Sequence, residues 1–198
     1  MKPIKKPLAT KRRYFVGKSR RKQKGELSLV EAAGVMAAGA LIALLVYMGR
    51  PYVMDRIHAS EFKSEAQYFR SGIQDATAGE IDYSGVSMLS LTQGLAFNTA
   101  GRRLNKTTGT LTGIFGGSVT AAPATVTATN DAVALTYPVP TSVCTLSAEA
   151  VSRTYTQVKV NNTTIKGPST DFSSGTATTA CASAGAMASI VMYATKDN

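Results

Sequence analysis

The chain has 198 residues and only two cysteines, which suits one modest domain with appendages rather than several domains. Its formal net charge of +10 would ordinarily indicate an acidic partner such as nucleic acid. Residues 1–25, however, hold eleven of the 22 Lys and Arg side chains and no acidic one, which leaves eleven basic against twelve acidic side chains in residues 26–198. This distribution argues against specific nucleic-acid binding by the main part of the chain.

The basic segment 1–25 ends in Gly25 and is followed directly by an apolar run. Clustered Lys and Arg before such a run hold their end in the cytoplasm and direct the rest of the chain outward. Non-specific phosphate binding is the less favoured interpretation of the segment. An ordinary secretory signal is cut after its apolar run, whereas Gly25 precedes it. A cut at Gly25 would therefore leave the apolar run in the product as an anchor.

Residues 26–50 are predicted to form the first half of a long helix. No charged residue occurs from Ala32 to Gly49, so the run is long enough to cross a bilayer. The carboxylate of Glu31 at its start is costly in lipid unless a cation meets it. Small side chains three and four residues apart favour close approach between helices. These small residues are Ala32, Ala33, Gly34, Ala37, Ala38, Gly39, Ala40 and Ala43.

Residues 51–78 are predicted to continue the helix in amphipathic form. Apolar positions three and four residues apart, from Val53 to Ile73, indicate a helix laid against a globular domain. At the junction, Gly49 and Pro51 predict a kink or local unwinding, because proline removes a backbone donor. The single histidine, His58, is interpreted as a solvated helix residue, since no catalytic set or metal-ligand cluster can be assembled around it.

Residues 79–198 are predicted to form a β-rich head, because the composition changes abruptly to Thr, Ser, Ala, Gly and Val. Residues 87–97 are either a short helix or an extended connector, and Thr145–Ser152 is predicted to be a short helix. Pro138 and Pro140 are expected to end one strand, and Asn161-Asn162 to form a turn. Strands are predicted at Thr110–Ile114, Ser118–Val119, Thr125–Thr129, Ala132–Tyr137, Tyr155–Val160 and Ala188–Ala194.

The cysteines Cys144 and Cys181 both lie in the part predicted to be exported. Neither a CxxC spacing nor a histidine cluster supports a metal site, so an oxidising environment makes a disulfide the expected state. Residues 168–187 read as a flexible loop with little core of its own, which such a bridge would pin. Its stabilisation is expected to be about 3–4 kcal/mol. The sequence indicates no metal site and no cofactor.

Taken in order, these marks resemble the type IV pilin family. Precursors in that family have a basic leader that ends in Gly, followed by a short apolar turn and a Glu. The same order occurs here in Lys24-Gly25-Glu26-Leu27-Ser28-Leu29-Val30-Glu31. Later marks are similar to the type IVb pilins of the PilS kind, which are associated with thin pili and conjugation. These marks are Gly116-Gly117-Ser118-Val119, Ala134-Leu135-Thr136-Tyr137-Pro138-Val139-Pro140 followed by Cys144, Val158-Lys159-Val160-Asn161, and Cys181 before a terminal apolar strand.

The resemblance implies an α+β fold in which a long N-terminal helix packs on an antiparallel β-sheet head. It implies that a prepilin peptidase cuts after Gly25, so that Glu26 becomes the first residue. A start at Leu27 is the alternative, and it makes Glu31 the fifth residue instead of the sixth. In the family this Glu pairs with the terminal amine of a neighbouring subunit; the alternative is a carboxylate solvated by lipid headgroups.

The resemblance also implies a structural protein with no enzymatic activity. Such a subunit is stored in the inner membrane and polymerised by assembly machinery there into a homo-oligomeric surface filament for adhesion, aggregation or DNA transfer. A minor pilin or a pseudopilin of a secretion machine is an alternative. A monomeric membrane-anchored periplasmic binding protein is another, but a plain tether has no use for a cut before its anchor.

Overall fold

The computed structural model describes residues 29–196, so the predicted leader with Gly25 and Glu26 lies outside the described residues. The chain divides into two compact units, Met1–Leu45 and Val46–Asn198. The described helices are α1 (Leu29–Ala76), α2 (Met88–Gln93), α3 (Thr141–Ser152) and α4 (Ser174–Ala182), with a 3-10 helix at Asn98–Arg103. The described strands are β1 (Leu104–Asn105), β2 (Thr110–Thr112), β3 (Ser118–Ala124), β4 (Ala132–Pro140), β5 (Gln157–Val160), β6 (Thr163–Lys166) and β7 (Met187–Thr195).

Helix α1 is continuous over 48 residues. It stays helical through Gly49 and Pro51, so the local unwinding predicted at these residues does not occur. A proline removes only one backbone hydrogen bond from a helix. The turns on either side of Pro51 are intact, so the backbone stays helical there. A change of axis direction at Gly49 and Pro51 stays a prediction.

The second half of α1 has one buried face. Its buried apolar side chains are three or four residues apart, which places them in one stripe along the helix. Phe62 packs edge-on against Tyr137 of β4, with 4.9 Å between ring centroids, and Phe69 packs edge-on against Phe97 at 5.0 Å. The stripe consists of Ala59, Phe62, Ala66, Phe69 and Ile73.

The strands of the described part form one sheet in the order β1-β2-β3-β4-β7-β5-β6, and every pair is antiparallel. The last strand, β7, lies between β4 and β5 and pairs with β4 along nine residues, from Ala132 opposite Thr195 to Pro140 opposite Met187. Burial alternates along β7, as expected for a strand with one face on the core. The predicted α+β class, with a long helix on an antiparallel sheet, is confirmed.

The prediction that Pro138 and Pro140 end a strand is wrong for Pro138, which lies inside β4, and confirmed for Pro140, where β4 ends. Strand β3 pairs with β4 only as far as Thr136, so neither Pro138 nor Pro140 has a paired strand residue on that side. A proline is tolerated at such a position, because no neighbouring strand needs its missing N–H group.

The strand predicted at Thr125–Thr129 is also absent, and a turn occupies these residues. The Asp131 carboxylate accepts hydrogen bonds from the backbone N–H groups of Val126, Thr127 and Ala128 at 2.7–2.8 Å. Burial by itself would raise the pKa of Asp131, but these hydrogen bonds and one from the Thr127 hydroxyl hold that pKa below its usual range. Local capping by one carboxylate therefore overrides the β propensity of the segment.

The predicted flexible loop 168–187 contains helix α4, so that prediction is wrong. The hydroxyl of Ser173 caps the helix by accepting a hydrogen bond from the N–H group of Thr176. The Ser- and Thr-rich composition did not indicate a helix here, because such side chains are also typical of turns. Of the two alternatives for residues 87–97, the short helix is right, because this stretch contains α2. Reciprocal hydrogen bonds between Ser87 and Ser90 cap its N-terminus. The predicted Asn161-Asn162 turn is confirmed, and both residues have a positive φ.

We expect Gly72→Ala to destabilise the protein by about 1–3 kcal/mol. A Cβ atom at Gly72 would overlap the backbone carbonyl oxygen of Ala96, so α1 approaches the segment after α2 only because residue 72 is glycine. Thermal unfolding of the full-length protein in detergent measures the effect. The matched control is Gly39→Ala on the same helix, where a Cβ atom meets nothing within 4 Å. Equal unfolding midpoints for both variants would contradict the close approach.

Candidate functional site

The first half of α1 exposes apolar side chains all around the helix. No residue from Val30 to Met54 whose side chain is described is buried, and Tyr47 is 81% exposed. By length and composition the helix is apolar enough to cross a membrane. We call Val30–Met54 the exposed apolar segment. Its large side chains are Val30, Val35, Met36, Leu41, Ile42, Leu44, Leu45, Val46, Tyr47, Met48, Tyr52, Val53 and Met54.

Glu31 lies in the first turn of α1 and its side chain is exposed. It is the only acidic residue between Leu29 and Met54. A carboxylate in the first turn interacts favourably with the positive end of the helix dipole. The expected pairing of Glu31 with the amine of a neighbouring subunit involves more than one chain and stays a prediction.

A disulfide joins Cys144 of α3 to Cys181 of α4, with a Cα–Cα distance of 5.9 Å. Both residues are buried and belong to the core of the head. The bridge connects two helices rather than pinning a loop. It closes a chain segment of 37 residues that includes β5, β6 and most of α4.

A part-buried ion pair connects α1 to the 3-10 helix, and the sequence analysis did not predict it. The guanidinium of Arg103 donates to both carboxylate oxygens of Glu65, and its Nη1 atom also donates to the carbonyl oxygen of Thr112 at 2.8 Å. The Tyr137 hydroxyl donates to Glu65 at 2.9 Å and accepts from the N–H group of Ile114 at 2.6 Å. One carboxylate on α1 thus binds side chains from the 3-10 helix and from β4. The sequence signal that could have predicted this ion pair is the position of Glu65 among the apolar residues of the buried stripe, because a buried charge requires partners.

The protonated forms of Arg103 and Tyr137 are the ones that donate hydrogen bonds to Glu65. The hydrogen bonding of the Arg103 guanidinium to the Glu65 carboxylate raises the pKa of Arg103 above its usual value. Burial first, and then the charge of Glu65, raise the pKa of Tyr137 well above its usual range. Both side chains therefore remain donors to Glu65 at physiological pH. The contacts hold the second half of α1 on the head and suit a structural role rather than proton transfer.

We expect Arg103→Ala to lower the stability of the head by about 2–3 kcal/mol, because it leaves the buried Glu65 carboxylate without its cation. Arg103 is 31% exposed, so water compensates for part of the loss. Chemical denaturation of the full-length protein measures the change. The neighbouring Arg102 is exposed, and Arg102→Ala is the matched control with a small expected effect. Equal losses in both variants would show that the ion pair contributes little.

Within residues 29–196, no group of three or more His, Cys, Asp or Glu side chains is placed to hold a metal ion. His58 lies on α1, is half-buried and packs edge-on against Phe115, with 6.1 Å between ring centroids, so it is less exposed to solvent than the sequence predicted. An open cavity of about 380 Å³ lies between the 81–83 and 126–131 segments and the end of β7.

Comparison with known proteins identifies the family. A family model described as PilS N terminal matches residues 56–195. No curated protein matches the sequence significantly. Among solved structures, the crystal structure of a type IV b pilin from Salmonella typhi is similar at 20% identity and a TM-score of 0.49, covering 65% of this chain and 96% of that one. Because the family model spans more than half of the 198 residues, the chain belongs to the PilS family.

Proposed function

We propose that this pilin is a structural subunit that polymerises through its N-terminal helix into a type IVb surface filament. A pilin is not an enzyme, so the function to be explained is assembly. The observation that carries the proposal is the exposed apolar segment of α1. Its large side chains are unburied from Val30 to Met54, and such a surface is unfavourable in water.

Two environments in turn would cover this segment. Before assembly, the inner membrane covers it, because the helix is long and apolar enough to span a bilayer. In the filament, the same segment of neighbouring subunits covers it. Small residues such as Gly34 and Gly39 would let the helices approach closely there, and a Cβ atom at either glycine meets nothing within the chain.

Processing comes before assembly in this proposal. A prepilin peptidase removes residues 1–25 at the Gly25–Glu26 bond, and Glu31 then pairs with the new terminal amine of a neighbouring subunit. The pairing is worth forming only where packed helices exclude water. Inner-membrane assembly machinery adds the subunits to a homo-oligomeric filament outside the cell. Adhesion, aggregation and DNA transfer are the uses that such a filament serves.

The experiment is electron microscopy of the sheared surface fraction, combined with mass spectrometry of the protein in it. We expect filaments whose subunit begins at Glu26, with Leu27 as the alternative start, and we expect Gly25→Ala to leave the precursor in the membrane. Recovery of the chain only from membranes, with residues 1–25 still attached, would refute the proposal and favour a membrane-anchored monomer.

A further inference from the structure

Arg50 is the first charged residue after Glu31 on α1. The 18 residues between them carry no charge, and a helix of that length spans about 27 Å, close to the hydrocarbon thickness of a bilayer. The side chain of Arg50 is exposed, and it forms no ion pair with any residue from 29 to 196. If Glu31 lies at one surface of the membrane, Arg50 therefore reaches the other surface.

Two tyrosines flank Arg50 on the same helix. Tyr47 and Tyr52 are both exposed, and they are the only aromatic residues of the exposed apolar segment. Tyrosine is enriched at membrane–water interfaces, because its ring is apolar and its hydroxyl is polar. The two tyrosines and Arg50 thus mark the outer boundary of the membrane on α1.

Tyr52 is bound by Arg56, one helical turn further on. The Nε and Nη2 atoms of Arg56 donate to the Tyr52 hydroxyl oxygen at 3.1 and 2.8 Å, and the guanidinium carbon lies 5.1 Å from the centroid of the ring. Because the hydroxyl oxygen accepts both hydrogen bonds, its own proton is left for a further acceptor. The Nη1 group of Arg56 donates to no residue from 29 to 196. Unused donors beside a positive charge suit a phosphate group.

Arg50 also lines two open hollows on the surface of α1, with volumes of about 430 and 380 Å³. An acyl chain packs on apolar surface of this kind, whereas the long side chain of arginine carries its charge to the level of the phosphates. A free phosphate ion would leave the hollows in contact with water, so the surface fits a phospholipid better than an inorganic anion. The other lining residues are Val46, Tyr47, Met48, Gly49, Val53 and Met54.

We propose that Arg50, Arg56 and Tyr52 bind the phosphate groups of phospholipids in the outer leaflet of the inner membrane. Charge favours this partner, because the only acidic residue from 32 to 60 is Asp55, which forms an ion pair with neither arginine. The proposal rests on the membrane stage of the proposed function and deepens it. The bound phosphates fix how deeply the subunit lies in the membrane before it is assembled.

The first test measures lipid binding by the full-length protein. Native mass spectrometry in a neutral detergent counts the molecules retained when phosphatidylethanolamine, diacylglycerol with the same acyl chains, or inorganic phosphate is added. Phosphatidylethanolamine carries the phosphate without a net charge, so the basic residues 1–25 attract it little. We expect it to be retained and diacylglycerol to be lost. Replacing both arginines by Arg50→Gln and Arg56→Gln should lower its retention about tenfold.

The matched control is Arg102→Gln, which removes an exposed arginine of the head and should retain the phospholipid normally. Equal retention by wild type and by the double glutamine variant would overturn the phosphate site. So would equal retention of diacylglycerol and phosphatidylethanolamine by the wild type. Retention of inorganic phosphate in place of lipid would identify a free-anion site instead and would also refute the proposal.

The second test measures depth in the bilayer. The sequence has no tryptophan, so Tyr47→Trp introduces a single fluorescent reporter. In vesicles of phosphatidylethanolamine and phosphatidylglycerol, lipids brominated at successive acyl positions report the depth of this tryptophan by quenching. Replacing Arg50 and Arg56 by leucine should move it deeper by about 5 Å, one helical turn, because nothing then holds the helix at the phosphates. Unchanged depth would refute the anchoring role, and Arg102→Leu is the control.

Failure of this proposal is distinguishable from failure of the proposed function. Wild-type filaments together with unaltered lipid retention in the double glutamine variant would refute the lipid site and leave the proposed function intact. Absence of filaments from the wild-type chain would refute the proposed function. Phosphate-dependent lipid retention would in that case still support the site, in a membrane-anchored monomer.

Discussion

Replacing Glu31 by alanine is expected to lower filament yield by more than about tenfold, since loss of one partner of a buried ion pair costs about 3–5 kcal/mol. Insertion and cleavage should remain normal, because the substitution makes the segment more apolar. Cells carrying Glu31→Ala should therefore accumulate processed, membrane-held subunit with few filaments. Quantitative immunoblotting of the membrane and sheared fractions measures both quantities.

Three variants sharpen the interpretation of this result. Glu31→Asp keeps the charge and should retain more filaments than Glu31→Gln, which keeps the shape without the charge. Glu80→Ala removes an exposed carboxylate outside the exposed apolar segment and should assemble normally. Normal piliation by Glu31→Ala would show that the carboxylate has no pairing role. Uncleaved Glu31→Ala would instead assign Glu31 to processing.

Removing the disulfide is expected to have the largest effect on the stability of the head. Replacing Cys144 and Cys181 together by alanine should cost about 3–4 kcal/mol and lower the thermal midpoint by about 10 °C, because a 37-residue segment is no longer closed in the unfolded chain. Differential scanning calorimetry of the full-length protein without reductant measures the shift, and reduced wild-type protein should show a similar one.

A control in the same helix tests whether the loss comes from the bridge or from disturbed packing. Ser147 of α3 is fully buried, and its hydroxyl has no hydrogen-bond partner among the described residues. Ser147→Ala should therefore leave the midpoint unchanged or raise it slightly. A midpoint for the double cysteine variant within error of wild type would show that the disulfide contributes little to the stability of the head.

The sequence alone was sufficient to predict those elements in which one local physical signal dominates. A charge-free run of 18 residues and a stripe of apolar side chains every three or four residues predict α1, because helical periodicity is local. The central strands β4 and β7 were predicted from their β-branched and apolar content, and the Asn161-Asn162 turn from residues that tolerate a positive φ. The family resemblance depended on the order of such local marks.

Only the tertiary structure decided the features that depend on distant neighbours. Pro138 and Pro140 stay in β4 because β3 stops pairing at Thr136, and no property of the prolines themselves contains that information. The partners of Glu65 come from residues 38 and 72 positions away, so the chain shows a buried charge but not what neutralises it. Local propensity decides which elements form, whereas packing decides where strands end and which charges meet.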